Sequence, residues 1–248
     1  MGPERTYAIG DIHGHLDKLR NVHKWIAADR AGFGGNVEIV HVGDLTDRGP
    51  DSAGVINWLV SGLAAGEPWV VLKGNHDRMM SLFLDSPSRR DDRLRPDLEW
   101  LDPRLGGRTT LASYGVNSGD DQDRSDIYAA AIDAVPMEHR AFLAGLPVMH
   151  RTGSVAFVHA GVRPGVTLDK QVEDDLVWIR SPFLEDTRDH EALIIHGHSP
   201  VEEVTHYGNR VNIDTGAGYG KDLSVVIIEQ NTIWQLGSGG RVRLQSGI

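Results

Sequence analysis

The sequence predicts an α/β fold organised around a parallel sheet. Three units of strand, polar loop and helix follow one another at the start of the chain, and two later apolar strands also run into histidine-bearing loops. Because parallel strands deliver their carboxyl ends to one edge of a sheet, these loops should meet there. The 248 residues and the hydrophobic content of 40% fit one large domain, 1–248, with a sizeable core.

The composition narrows the classes of function. A net charge of −10 argues against a broad nucleic-acid-binding face. The chain has no cysteine, which excludes disulfides, thiolate metal sites and cysteine-nucleophile phosphatase chemistry, and which fits a reducing cytoplasm. No apolar run approaches the ~20 residues of a membrane span, so no membrane partner is expected and a cytoplasmic location is predicted.

Each of the first three predicted strands ends in a polar loop. The strand and loop pairs are 6–9 with Gly10-Asp11-Ile12-His13-Gly14, 37–42 with Gly43-Asp44-Leu45-Thr46-Asp47-Arg48-Gly49, and 69–72 with Lys73-Gly74-Asn75-His76-Asp77. Apolar residues at helical spacing predict helices after the first two loops. In the second loop, Asp44 can coordinate a hard cation while Arg48 presents a planar fork to an oxyanion. That loop therefore suits a site that binds both metal and phosphate.

The rest of the chain contains a polar segment, two strands that lead into histidines, and a closing set of strands. Residues 86–127 are charged and turn-rich, which predicts an insertion or cap over the site, and helices are predicted at 127–134 and 137–143. Two strands then lead into histidines: 155–158 into His159 and 192–195 into His196-Gly197-His198. A closing antiparallel set is predicted from four further apolar runs, 211–214, 223–228, 232–236 and 241–244.

The residue types at these strand ends are those of a metal site without sulfur. Carboxylate, imidazole and amide side chains suit Mn²⁺, Fe or Zn²⁺ better than an all-oxygen Ca²⁺ cage. Isolated histidines are interpreted as surface or turn residues: His23, His139, His150, His190 and His206. His15 and His41 are neighbours of the predicted site with no assigned role.

Taken in this order, the motifs resemble those of the phosphoprotein phosphatase family of binuclear, calcineurin-like metallophosphoesterases. Residues 10–14, 43–49 and 74–77 resemble its three signature motifs, and His159-Ala160-Gly161 and Gly197-His198-Ser199-Pro200 its two later histidine motifs. The likeness is greater to the bacterial and bacteriophage-lambda-type serine/threonine phosphatases, and it includes residues 176–180 and 213–217. The resemblance implies a four-layer α/β fold, a β-sandwich flanked by helices with the site at the strand carboxyl ends.

The resemblance also implies a role for each motif residue. Two divalent ions, manganese first and iron or zinc next, would be held by Asp11, His13, Asp44, Asn75, His159 and His198, with Asp44 bridging. His198 is preferred to His196 because the family pattern is Gly-His-Ser/Thr-Pro, which leaves His196 a supporting role. His76 would be the proton donor, oriented by Asp47, and Arg48 and Arg180 would bind phosphate oxygens. For Tyr219, a position near the site and a packing role both remain open.

The function implied is hydrolysis of phosphoserine or phosphothreonine in proteins, with phosphotyrosine a further substrate, by direct attack of a metal-bridging hydroxide. A related branch hydrolyses dinucleoside polyphosphates such as diadenosine tetraphosphate, but its second motif tends to lack the Asp before Arg, and Asp47 is present. Two nucleosides would also need stacking rings, and the cap offers few beyond Trp100 and Tyr114. A third alternative is a catalytically silent metal-binding scaffold, which the complete motif set disfavours.

Overall fold

Two β-sheets face each other across an apolar layer. The computed structural model describes residues 5–33, 37–230 and 232–247. The strands in these ranges are β1 (Thr6–Ile9), β2 (Ile39–His41), β3 (Trp69–Val71), β4 (Met149–Thr152), β5 (Val155–Val158), β6 (Leu193–His196), β7 (Thr205–His206), β8 (Arg210–Asn212), β9 (Val225–Glu229), β10 (Thr232–Gly237) and β11 (Gly240–Arg243). The first sheet has the order β11-β10-β9-β1-β2-β3 and the second the order β4-β5-β6-β8-β7.

Helices cover the outer faces of the sheets. They are α1 (Leu16–Phe33), α2 (Ser52–Ala64), α3 (Asn75–Asp85), α4 (Gly107–Ser113), α5 (Arg124–Ala134), α6 (Met137–Gly145) and α7 (Glu173–Trp178). Helix α2 begins where the Asp51 carboxylate accepts a hydrogen bond from the Gly54 amide, which satisfies one free donor of its first turn. Among the residues that the structure describes, none of the helices is both long and apolar enough to cross a bilayer.

Three apolar clusters give the molecule four layers. One fills the space between the sheets, with Val40 and Val226 from the first and Phe157 and Ile195 from the second. Another lies between the first sheet and α1 to α3, and the third lies between the second sheet and residues 168–184. The predicted β-sandwich flanked by helices is confirmed.

The strand pairing confirms one prediction and corrects another. Strands β1, β2 and β3 are parallel neighbours, as predicted from the repeated strand, loop and helix units. The prediction that the strand at 211–214 joins a closing antiparallel set is wrong, because β8 pairs in parallel with β6 in the second sheet. The other three predicted runs, β9, β10 and β11, do form an antiparallel set, and β9 is antiparallel to β1. Apolar runs show that a segment is a strand, but they do not show which sheet it joins.

The segment 86–127 is packed more deeply than a polar cap would be. Residues between α3 and α4 form turns, yet Leu94, Leu98, Trp100 and Leu101 are buried against the first sheet's helices. Helix α4 was not predicted, since its sequence carries few large apolar residues, and Leu111 anchors it in the same cluster. The assignment of residues 86–127 as an insertion over the site stays a prediction.

Candidate metal centre and active site

The loops that follow five strands converge at one edge of the sandwich. Strands β1, β2 and β3 supply the three loops predicted from the sequence, and β5 and β6 lead directly into His159 and the loop of His198. The predicted metal ligands are all buried, with exposed fractions of 6% or less: Asp11, His13, Asp44, Asn75, His159 and His198. Because three strands of the first sheet and two of the second end at the same edge, residues far apart in sequence come within contact distance.

The backbone at this edge has an uncommon conformation. Seven non-glycine residues of the described chain have a positive φ, and five of these are predicted site residues: His13, Asp44, Asp47, Arg48 and His198. Such conformations cost free energy and cluster at functional sites. Gly74 shows how closely the loops approach, since a Cβ there would lie 2.2 Å from Asp44 Oδ1.

Two groups of potential metal ligands share Asp44. His13, Asp44 and His76 form one group, and Asp44, His159 and His198 form the other, with the ligand atoms of each group within 4.8 Å of one another. His13 Nε2 lies 3.4 Å from one Asp44 carboxylate oxygen, and His159 Nε2 lies 3.4 Å from the other. Asp44 therefore belongs to both groups, and its role as a bridge between two ions stays a prediction.

The imidazoles are oriented by backbone carbonyls. His13 Nδ1 lies 2.8 Å from the Thr46 carbonyl oxygen, and His159 Nδ1 lies 3.0 Å from that of Val42. A carbonyl oxygen can only accept, so each Nδ1 carries the proton and each Nε2 presents a lone pair to the site. This tautomer is the one that a metal-ligating histidine needs. Burial lowers the pKa of His13 and His159, which keeps both rings neutral.

Two buried atoms at the site lack a hydrogen-bond partner. Asp11 Oδ1 and His198 Nε2 are both buried, and neither bonds to any of the described residues. Asp11 Oδ2 accepts a hydrogen bond from the His198 amide at 3.0 Å, which places the two side chains next to each other. Burial and the nearby Asp214 carboxylate raise the pKa of Asp11. Unsatisfied buried polar atoms are rare and costly, so this donor set fits a pair of divalent cations.

Asp47 and His76 form a buried pair beside these groups. His76 Nδ1 lies 2.6 Å from Asp47 Oδ2, and Asp47 has no exposed surface. Two side chains of the segment 86–127 complete the surroundings of Asp47. The Trp100 indole N–H donates to its carboxylate, and the Thr110 hydroxyl donates to Oδ1 at 2.7 Å. Neither contact could be predicted from local sequence patterns, because the two contacts span 53 and 63 residues.

The two predicted phosphate-binding arginines lie in one cleft. Arg48 donates to Nε2 of His13 at 2.6 Å and to Nε2 of His76 at 3.2 Å. Arg180 lies 3.4 Å from the carbonyl oxygen of His198. The cleft has a volume of about 420 Å³, and apolar and aromatic side chains form its walls: Leu94, Leu98, Leu105, Trp178, Pro200 and Tyr219. Tyr219 is 63% exposed and its ring covers the Arg48 guanidinium at 4.6 Å, so it lies at the site.

Several other polar residues take positions that the sequence left open. His196 lies 3.3 Å from Arg210 and packs against Phe183, away from the ligand groups, which supports a packing role. His139 and His190 were expected at the surface, yet both are buried. Asp77, which was not assigned a role, accepts hydrogen bonds from the amides of Leu45 and Gly74 and so ties two site loops together.

Comparison with known proteins defines the family. Residues 4–227 match the family described as calcineurin-like phosphoesterase, and the chain belongs to that family. It is therefore a metal-dependent phosphoesterase.

Individual relatives divide between two activities. The chain is 28% identical to a bis(5'-nucleosyl)-tetraphosphatase PrpE [asymmetrical] of Anoxybacillus flavithermus, over 88% of both chains. It is also 28% identical to serine/threonine-protein phosphatase 1 of Salmonella typhimurium, over 90% of this chain and 92% of the relative. Among solved structures, a cold-active protein-tyrosine phosphatase of a psychrophilic Shewanella species superposes with a TM-score of 0.64 at 20% identity, covering 98% of this chain and 81% of the other. That structure supports the fold.

Proposed function

We propose that the chain hydrolyses phosphate monoesters of serine and threonine in proteins or peptides. The observation that carries this proposal is the contact of 2.6 Å between His76 Nδ1 and the buried Asp47 carboxylate. A serine or threonine alkoxide is a poor leaving group, so its departure is accelerated by a positioned proton donor. The nucleoside polyphosphate released from a dinucleotide is a more stable anion and needs such a donor less.

The metal ligands in this proposal are Asp11, His13, Asp44, Asn75, His159 and His198. The partnerless Asp11 Oδ1 and His198 Nε2 atoms support it, as does the shared position of Asp44. When bound, two divalent ions would supply an activated water and neutralise phosphate charge. A donor set of carboxylate, imidazole and amide supports manganese, with iron or zinc as alternatives.

The protein's own side chains account for substrate binding and proton delivery. Arg48 and Arg180 can donate to the non-bridging oxygens of one phosphate, and such charge-assisted bonds strengthen as charge develops on those oxygens. Asp47 holds Nδ1 of His76, so the opposite nitrogen, which accepts from Arg48 in this structure, would deliver the proton once the ring is protonated and Arg48 binds phosphate. A cytoplasmic location belongs to the same proposal and rests on the absence of cysteine.

Hydrolysis of dinucleoside tetraphosphates is the second candidate. It is favoured by the likeness to the Anoxybacillus flavithermus tetraphosphatase. Trp100 is buried against Phe83 and Tyr114 bonds to His139, and neither lines the cleft, so the segment 86–127 offers no ring for stacking there. Trp178 and Tyr219 do line the cleft and could hold one base.

A parallel assay separates the two candidates. With manganese-loaded enzyme, we expect a phosphothreonine peptide to be hydrolysed with a kcat/KM at least ~10-fold above that for diadenosine tetraphosphate, which corresponds to about 1.4 kcal/mol. A preference for the dinucleotide would select the second candidate. Turnover of neither substrate, nor of p-nitrophenyl phosphate, by enzyme with two bound metals would support a silent scaffold.

A further inference from the structure

The cleft carries more positive charge than one phosphate group requires. Four arginines line it: Arg48, Arg93, Arg95 and Arg180. Within the described part of the chain, the one acidic residue on its lining is Asp44, a proposed metal ligand. Since the whole chain has a net charge of −10, this concentration of cations is local.

Arg93 differs from its neighbour Arg95 in its partners. The Arg95 guanidinium forms two hydrogen bonds with the Asp97 carboxylate, at 3.0 and 2.9 Å, which neutralises its charge. The exposed guanidinium of Arg93 makes no ion pair with the residues that the structure describes. Arg93 is therefore a cation of the cleft, in addition to Arg48 and Arg180, that is available to a ligand.

Hydrogen bonds hold the turn that carries Arg93 in place on two sides. The buried carboxylate of Asp91 accepts two hydrogen bonds from Arg78 at 2.7 Å, one from Trp178 at 2.9 Å, and one from the Arg93 amide at 2.9 Å. These bonds fix the turn to α3 and to the end of α7. Burial raises the pKa of Asp91, but the hydrogen bonds from Arg78, the Arg93 amide and Trp178, together with the charge of Arg78, outweigh burial and hold that pKa below its ordinary value.

Arg90 holds the far side of the same turn. Its Nη2 donates to the carbonyl oxygens of Leu94, Arg95 and Leu98, at 2.9, 2.8 and 3.3 Å. An ordered turn places the Arg93 backbone without a further entropy cost on ligand binding, and such preorganisation increases affinity.

We propose that Arg93 forms a subsite for an acidic side chain next to the phosphorylated residue of a peptide substrate; this inference rests on the proposed protein-phosphatase function. Arg48 and Arg180 lie beside His76 and His198 and suffice for the oxygens of one phosphate. Arg93 comes from a different segment on the same cleft of about 420 Å³, so the group that it binds is a second anion on the same substrate.

The test compares two phosphothreonine peptides that differ only in their flanking residues, glutamates in one and glutamines in the other. At low ionic strength the wild type should hydrolyse the glutamate peptide with about fivefold higher kcat/KM, as expected for an exposed ion pair, and salt should reduce this preference. Arg93→Gln should abolish the preference through KM, with little change for the glutamine peptide. Arg89→Gln is the matched control, because Arg89 is an exposed residue nearby in sequence that pairs with Asp85 and does not line the cleft.

A wild type without preference, or an Arg93→Gln variant that keeps it, would overturn the subsite. If both peptides resist hydrolysis while p-nitrophenyl phosphate is turned over, the protein-phosphatase function fails, and inhibition then tests the subsite separately. Pyrophosphate carries a second anionic group, so it should inhibit the wild type and Arg89→Gln about fivefold more strongly than Arg93→Gln, whereas orthophosphate should inhibit all three alike. Equal pyrophosphate inhibition of the three proteins would overturn the subsite in that case too.

Discussion

Trp100 donates its indole N–H to both carboxylate oxygens of Asp47, at 3.1 and 2.9 Å, and so holds the residue that in turn holds His76. Trp100 is itself fixed by Phe83 of α3, with ring centroids 5.0 Å apart. The segment between α3 and α4 thereby reaches the proposed proton donor through one buried hydrogen-bonded chain. A carboxylate with several fixed donors keeps one orientation, which is the requirement for aiming an imidazole.

Trp100→Phe keeps an aromatic ring but removes this donor. We expect kcat for phosphoserine peptides to fall about tenfold, which corresponds to about 1.4 kcal/mol and is in the range for one hydrogen bond to a buried charge. The rate with p-nitrophenyl phosphate should change less than twofold, because p-nitrophenolate leaves without protonation. Metal content by elemental analysis should equal that of the wild type.

Trp234→Phe is a suitable control for the loss of an indole. Its indole nitrogen is buried but bonds to none of the described residues, and it lies on β10 away from the site. Equal losses on both substrates in Trp100→Phe would show that Trp100 serves packing instead of proton delivery.

His76 has two structural relationships that predict different outcomes. It bonds to Asp47, as a proton donor should, and it also groups with His13 and Asp44 among the possible metal ligands. If it is the proton donor, His76→Asn should retain two metals and should slow phosphoserine peptides far more than p-nitrophenyl phosphate, by a factor of ~10². Loss of one metal together with equal losses on both substrates would assign His76 to the metal centre.

Much of the site could be predicted from the sequence because its residues follow their strands directly. The loop 43–49 follows β2 directly in the sequence. The order of residues was therefore enough to place Asp44 and Arg48 at the end of that strand. Trp100 and Thr110 could not be found in this way. Their contacts with Asp47 depend on how an irregular segment folds back over the first sheet, and no periodicity encodes that path.

The pairing of β8 with β6 was not predicted for a related reason. Its central residue Val211 is fully buried in the layer between the sheets, so the apolar pattern was clear. A strand that is buried between two sheets has the same pattern in either of them. The partner was decided by the return of the chain to β6, where Val211 pairs with Ile195, 16 residues earlier in the sequence.

Asp44 is the residue on which both ligand groups depend. Asp44→Asn removes the shared negative charge, so we expect binding at both positions to weaken and activity to be lost. Elemental analysis after gel filtration should find clearly less than the two metals expected of the wild type. Asp222→Asn, an exposed substitution outside both ligand groups, should retain the wild-type content. An active Asp44→Asn protein with two tightly bound metals would contradict the bridging assignment.

The stability of the fold should depend on pH through His41, which lies in a buried cluster outside the candidate site. Its ring stacks on His23, with Nε2 atoms 3.0 Å apart, and packs with Trp69. Burial lowers the pKa of His41 from 6.5 to about 4. In the unfolded chain the same imidazole takes up a proton near pH 6.5, so between these values the unfolded state binds more protons than the folded state. The contribution of neutral His41 to the free energy of unfolding is therefore fully present above about pH 6.5. This contribution, about 3 kcal/mol, is lost as the pH falls towards 4.

Replacement of His41 by glutamine removes this titration. In urea unfolding with a chelator present, which excludes effects of metal release, the wild type should lose stability steeply between pH 6.5 and 4.5. His41→Gln should be less stable at pH 7 but should lose about 2 kcal/mol less over the same interval. His206→Gln, which alters a half-buried histidine of β7, should stay closer to the wild type in its pH dependence. If the stability of His41→Gln falls as steeply as that of the wild type, the titration of His41 does not contribute to the acid sensitivity of the fold.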